Sequence, residues 1–360
     1  MVMRLFDGVY QGGRVLLTGH TGFKGSWLAS WLVELGAKVT GFGLPPSALP
    51  NHWDLLGLPI SDVRGDIRDL SAIQETIRKS APEIVFHLAA QPLVRRSYKD
   101  PLESWSTNVM GTANLLEACR SAESLRAVVV ITTDKVYANE ESPRGYRECD
   151  RLGGHDAYSA SKCAAELVVD SYRKAIFTKN DPLVATARAG NVIGGGDWSD
   201  DRLIPDIIRA VANGHSLEIR SLQSTRAWLH VLDCLSGYLS LGQQLLTGRR
   251  DFADAWNFGP AAADNASVAK VLGMLEDYWP KLSWHRSQGE EPHEATHLFL
   301  DSSKANARLN WNPLWNLKDA LGATASWYQH YLAANKTSTL EQLLSYQALA
   351  TKANCSWAVQ

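Results

Sequence analysis

Along the first half of the chain, apolar residues recur as short unbroken runs, each followed by a turn and then by a helical period. Arg14-Val15-Leu16-Leu17-Thr18 reads as a buried strand and Trp27 to Leu35 as the helix behind it. Ala37 to Phe42 is predicted as a second strand, Val63-Arg64-Gly65-Asp66 as a short third, and Leu70 to Lys79 as a helix. Ile84-Val85-Phe86-His87-Leu88 makes a fourth strand, and a helix closes at Leu115 to Cys119. Ala127 to Thr132 and Val184 to Ala187 supply two more strands. Continuous rather than alternating apolar strands, separated by helices, indicate a parallel sheet covered on both faces. The expected class is α/β, a doubly wound parallel sheet with a smaller, interleaved lobe.

After residue 187 the rhythm changes. Gly194-Gly195-Gly196-Asp197-Trp198 is a glycine-rich loop, Leu203 to Val211 a helix, and Leu217-Glu218-Ile219 a short strand. Phe252 to Phe258 reads as a return to the main sheet and Val268 to Tyr278 as a helix. The expected organisation is a sheet domain over residues 1–187 with a return segment near 227–262. A substrate-holding lobe takes 188–226 and 263–332, and a helical tail takes 333–360.

Composition narrows the function. The 360 residues are 45% hydrophobic and 21% charged, the balance of a globular protein with a sizeable core. Lys plus Arg number 36 and Asp plus Glu 38, a formal charge of −2, which argues against a dedicated nucleic-acid or acidic-membrane binder. The five cysteines are scattered with no CxxC pair, so neither a disulfide framework nor a thiolate metal site is expected. The N-terminal MVMRLFDGVYQGG lacks the apolar core of a signal peptide, and no apolar run approaches the roughly 20 residues of a spanning helix. A cytoplasmic protein is expected. Thirteen tryptophans read as core and interface filler.

The first strand runs into Thr18-Gly19-His20-Thr21-Gly22-Phe23-Lys24-Gly25, with Gly19, Gly22 and Gly25 in a GxxGxxG spacing between strand and helix. Glycines there permit a tight turn and close backbone approach to a pyrophosphate at a helix N-terminus, the dinucleotide site of a Rossmann-type fold. Lys24 either adds a phosphate contact or points to solvent. The end of the second strand reads Gly41-Phe42-Gly43-Leu44, with neither the carboxylate that selects NAD nor an arginine for an NADP phosphate. NAD is the expected cofactor. Asp66, followed by Ile67, is a candidate for the adenine amino group or, alternatively, a cap of the next helix.

Tyr158-Ser159-Ala160-Ser161-Lys162 is a YxxxK pair, which on a helix places both side chains on one face. A neighbouring ammonium favours phenolate and is expected to bring the tyrosine pKa toward the operating pH. A rival motif, His293-Glu294-Ala295-Thr296-His297, spells the HExxH zinc pattern. Pro292 precedes it and His297 to Asp301 reads as a strand, where residues four apart are about 13 Å from each other, so no metal is expected.

With the glycine turn and YxxxK in place, the chain resembles the extended short-chain dehydrogenase/reductase family of nucleotide-sugar enzymes over roughly residues 12 to 330. Leu88-Ala89-Ala90-Gln91 and Asn108-Val109-Met110-Gly111-Thr112 match its cofactor-side elements. The resemblance also assigns Thr21, Phe23, Thr132 and Arg188 to the cofactor, and Lys162 to both the tyrosine and the nicotinamide ribose. Arg188-Ala189-Gly190-Asn191-Val192 and Arg226-Ala227-Trp228-Leu229-His230 resemble its sugar-nucleotide side. That implies Asn191, Arg202 and Arg226 at the diphosphate, with Leu203 and His293 lining the pocket. Thr133-Asp134-Lys135 stands where 4,6-dehydratases keep an acid and a base, although dTDP-glucose dehydratases have glutamate in the third place. Together with Gly195-Gly196-Asp197-Trp198-Ser199-Asp200-Asp201-Arg202, this resembles the branch acting on CDP-glucose. Asp134 is then the acid and Thr133 a hydrogen-bond donor to the sugar. Lys135 is either the base, which requires a neutral amine and hence burial or a nearby cation, or an electrostatic clamp. Rival expectations are another nucleotide-sugar dehydratase, a 4-epimerase, which needs no acid/base pair, and a non-catalytic dinucleotide sensor. A homodimer or homotetramer paired through the helices around Leu115 and Glu166 completes the expectation.

Overall fold

The structure is a computed structural model that describes residues 4–141, 144–177, 181–287 and 297–359. Six strands, β1 (Arg14–Thr18), β2 (Lys38–Gly43), β3 (Ser61–Arg64), β4 (Ile84–His87), β5 (Ala127–Ile131) and β6 (Leu183–Ala189), form a parallel sheet with a seventh, Ala255–Phe258. Their order is β3-β2-β1-β4-β5-β6 and then Ala255–Phe258. The direction in which successive strands are added therefore reverses between β1 and β4, and a crevice opens there above the C-terminal strand ends, the place where doubly wound sheets bind ligands. Every residue of β5 and β6 is buried, which accounts for their unbroken apolar runs.

Both faces of the sheet are covered, and the core divides accordingly. One cluster holds Leu16, Phe42, Val85, Val128 and Val130 against the helices Leu70–Ser80 and Gly111–Cys119. The larger one holds Leu17, Phe86 and Val129 against Phe23–Glu34 and Val231–Leu246. Trp27, Trp31, Trp256, Trp311 and Trp327 are among its largest fully buried side chains, the filler role expected of them.

The third strand ends at Arg64, two residues short of its predicted end. Gly65 lies beneath the Phe42 ring, where a Cβ would overlap the ring carbons, and the chain turns there. Two long helices had gone unread: Val231–Leu246, buried nearly throughout, and Leu317–Ala334, which buries Leu321, Trp327 and Tyr328. In the first of these, burial on nearly every side leaves few polar positions to mark an outer face. The tail helix Thr339–Lys352 docks by the Tyr346 hydroxyl, which donates to Asp233 Oδ1 at 2.7 Å, and Trp357 beyond it stacks on Phe6. Among the described residues, no helix is long and apolar enough to cross a membrane.

Candidate active site

A cleft of about 1170 Å3 runs along the C-terminal ends of the strands. Its first wall is the turn after β1. Gly19 has φ +72° and lies so near the next loop that a Cβ would sit 2.6 Å from the Ala89 nitrogen. A Cβ on Gly25 would overlap the Gly19 carbonyl oxygen. Gly22 is the N-cap of the helix Phe23–Glu34 and carries no capping side chain, so the first-turn N–H groups are left for an anion from outside. The turn fits a dinucleotide pyrophosphate on steric and hydrogen-bonding grounds alike. Thr21 donates to the Leu44 carbonyl at 2.9 Å, Phe23 lines the cleft, and Leu88, Ala89, Ala90 and Gln91 form the opposite rim after β4.

Lys24 does not point to solvent. Its ammonium turns inward, 3.5 Å from the Tyr238 hydroxyl, and burial lowers its hold on a proton. The missing ribose carboxylate also has a structural counterpart. Gly41 and Gly43 leave room for the His20 ring, since a Cβ on Gly41 would lie 2.5 Å from it. His20 Nε2 in turn meets Asp62 Oδ1 at 2.8 Å. Asp66 and Ile67 line the cleft; Arg68 grips the Asp66 carboxylate and holds its pKa below the usual range. The following helix is capped by Asp69, not Asp66.

Two expected cofactor residues sit elsewhere. Asn108 is buried behind the rim, accepting from the Gln91 N–H at 2.8 Å and donating to Ser161 Oγ at 2.9 Å. Arg188 is enclosed with Glu166 in a bidentate pair and donates to the Tyr137 hydroxyl at 2.7 Å, so it does not line the cleft. An arginine in a buried strand must find a carboxylate, and here the carboxylate lies inside the fold.

The middle of the cleft gathers the candidate chemistry. The helix Ala157–Ser171, capped by Asp156, carries Tyr158 in its first turn and Lys162 one turn on. β5 feeds Thr132, Thr133, Asp134 and Lys135 to the same place. The Thr133 hydroxyl donates to Asp134 Oδ1 at 2.9 Å, and Tyr158 lines the same stretch of the cleft. Asp134 is 2% exposed, and its Oδ2 has no protein partner. Gly190 leaves room for that oxygen, which would be 3.3 Å from a Cβ placed there. Burial raises the Asp134 pKa against the pull of Lys135, Thr133, Arg226 and Lys24, favouring the acid form.

The tyrosine departs from expectation. Burial pushes its pKa up to about 12, while Thr133 and Arg202 favour the phenolate. Lys162 donates to the Ile131 carbonyl at 3.0 Å and is itself lowered to about 7 by burial and by Lys24. In the protein alone, desolvation outweighs the neighbouring cation. Lys135 is half-buried at the cleft edge, so the enclosure its base role demands is incomplete.

On the far wall, Asn191, Arg202, Leu203 and Arg226 line the cleft. Arg226 is 4% exposed and donates to the Thr225 carbonyl, whereas Arg202 is 3.7 Å from Asp197. His293 lies outside the described residues. Sequence reading missed Gly190, whose only signal is its place in Arg188-Ala189-Gly190-Asn191. It also missed Arg95, which reaches Asp201 Oδ1 at 3.1 Å between two cleft-lining segments.

A sheet order with its crevice at β1/β4, a glycine cradle and a Tyr/Lys helix give a basis for comparison with known proteins. The family model described as GDP-mannose 4,6 dehydratase matches residues 16–324. The chain belongs to that family. A curated relative, the CDP-glucose 4,6-dehydratase of Salmonella typhimurium, is 46% identical over 331 residues, covering 90% of this chain and 92% of its own. Among solved structures, an epimerase of Methanothermobacter thermautotrophicus superposes with TM-score 0.81 at 23% identity, covering 91% of this chain and 96% of that one, a likeness of fold. A Bacillus cereus UDP-glucuronic acid 4-epimerase, solved with UDP-glucuronic acid and NAD, superposes at 0.76 with 25% identity, covering 88% and 99%.

Proposed function

We propose that this chain is an NAD-dependent lyase that converts CDP-glucose to CDP-4-keto-6-deoxyglucose and water. The observation that carries the reading is Asp134, a buried acid with an unpartnered oxygen beside the Tyr158/Lys162 pair. A 4-epimerase has no use for a proton donor there, and a dehydratase has hydroxide to protonate. The 46% identity to the Salmonella enzyme supports the same substrate.

Gly19, Gly22, Gly25 and the Leu88 to Gln91 rim would hold NAD, with Asp66 as acceptor for the adenine amino group. Bound there, NAD would supply hydride acceptance at C4 and hydride donation at C6. Tyr158 receives the C4 hydroxyl proton, with Lys162 stabilising the phenolate and Thr133 hydrogen-bonding the sugar oxygen. Once C4 is a ketone, the C5 proton is acidic. Lys135 takes that proton while Asp134 gives its own to the departing C6 hydroxyl, so water leaves, and Lys135 then gives the proton back to C5 as C6 gains hydride. Arg226 and Arg202, with Asn191, face the diphosphate, for which a planar guanidinium suits two oxygens at once. Leu203 and His293 complete the sugar pocket.

The protein acts in the cytoplasm, consistent with five free thiols. It works as a homodimer or homotetramer, its second copy covering Leu102, Trp105 and Met110, which are 77%, 40% and 56% exposed on adjacent turns, together with Leu167 on the Tyr158 helix. Incubation with NAD and CDP-glucose followed by alkali tests the reaction. A 4-keto sugar develops an ultraviolet chromophore, and its absence with CDP-glucose consumed would exclude dehydration.

A further inference from the structure

Glu166 takes no part in the steps above, yet it is the most fully bonded carboxylate near them. It lies four residues beyond Lys162 and eight beyond Tyr158, so all three share one face of the helix Ala157–Ser171. It is 4% exposed. Oε1 accepts from Thr132 Oγ1 at 2.5 Å and Arg188 Nε at 2.9 Å; Oε2 accepts from Thr186 Oγ1 and Arg188 Nη2, both at 2.8 Å. One carboxylate therefore joins the Tyr158 helix to β6 and to Thr132, the residue before the catalytic Thr133.

We propose that Glu166 is a positioning residue of the catalytic centre, acting through Lys162 and Thr132. Its negative charge holds Lys162 in the ammonium form, and its bond to Thr132 fixes the backbone from which Thr133 donates to Asp134. Lys162 needs such a partner. Among the described residues its hydrogen bond is to the Ile131 carbonyl, and the ammonium of Lys24 opposes its charge from the glycine-rich turn. Buried His87, at the end of β4, is neutral, its pKa lowered to about 3 by burial and by Lys162 itself. Tyr158 on the same helix and Asp134 after β5 are both held toward their neutral forms by burial. Glu166 is thus the carboxylate held in its charged form that favours the ammonium. Arg188 pairs with Glu166 from the β6 side and holds its carboxyl below the usual range, so the charge is kept.

This inference rests on reading Tyr158 and Lys162 as the oxidising pair, and the experiment separates the two. Single-turnover NADH formation is followed with NAD and CDP-glucose from mildly acidic to alkaline pH. Loss of the Lys162 proton sets a descending limb. Glu166→Gln removes a favourable charge, so the limb moves to lower pH by about one unit. Glu166→Asp keeps the charge and leaves the limb in place while lowering the plateau, because Thr132 loses its anchor. Should Glu166→Gln fail to fold with Arg188 unpaired, Glu166→Gln/Arg188→Met removes both buried charges, an exchange that proteins often tolerate, and must still move the limb to lower pH, by a smaller amount, since the opposing charge goes too. A uniform loss of rate with the limb unmoved would reduce Glu166 to a structural pair and overturn the proposal. Lys162→Met tests the underlying pair: wild-type oxidation by that variant would overturn the pair itself.

Discussion

The two ends of the cleft are built on different physics. In the glycine cradle, geometry is set by what is absent: no Cβ at Gly19, where backbone passes within 2.6 Å of one, and none at Gly25. Nothing in that turn has to titrate. In the catalytic centre the same side-chain types that sit on ordinary surfaces are given their properties by burial. Desolvation is the largest influence on Asp134, Tyr158 and Lys162, raising the first two and lowering the third. A steric site can be read from letters; an electrostatic one depends on depth.

The comparison breaks most readily at Tyr158. Tyr158→Phe removes the proton acceptor and should lower C4 oxidation by about a hundredfold to ten-thousandfold, the usual worth of a positioned acid or base. Binding of CDP-glucose, measured by calorimetry, should stay nearly intact, because the change is confined to one oxygen. Wild-type turnover would remove Tyr158 from the reaction.

Gly25→Ala probes the other end. Backbone, not a flexible side chain, stands in the way of the new methyl, so overpacking should cost on the order of 3 kcal/mol. Where the turn relieves that strain by moving the Gly19 backbone out of the pyrophosphate site, NAD affinity falls, by up to about a hundredfold. Oxidation at saturating NAD should recover far more than in Tyr158→Phe. If NAD binding were unchanged, the cradle would lie elsewhere.

Lys135→Met asks a narrower question of the catalytic end. The variant should oxidise C4 and stall before water leaves, so NADH accumulates within one turnover and is seen by its absorbance. Near-normal dehydration would leave Asp134 to serve both proton transfers.

The sequence was most informative where a single property of a residue decides its role. The glycine spacing, the parallel strands and the Tyr/Lys pair were all legible from periodicity and turn chemistry. Arg188 was not. A buried arginine looks the same on paper as a ligand-binding one, and only the fold shows that Glu166, twenty-two positions away in sequence, occupies its guanidinium. Asn108 was misread in the same way, since it acts on Gln91 from behind. The helix Val231–Leu246 left no stripe because its neighbours surround it. The absence of an acid at Gly43 was visible, but the His20 ring packed against the neighbouring Gly41 is a fact of the fold that no local pattern contains.

The central claim is that hydrogen moves from C4 to C6 of one sugar with loss of water between. CDP-glucose deuterated at C4, converted in the presence of NAD, tests it directly. The label should appear at C6 of a 4-keto-6-deoxy product, read by nuclear magnetic resonance. Deuterium found back at C4 of a sugar of unchanged mass would show an epimerase at work and contradict the account.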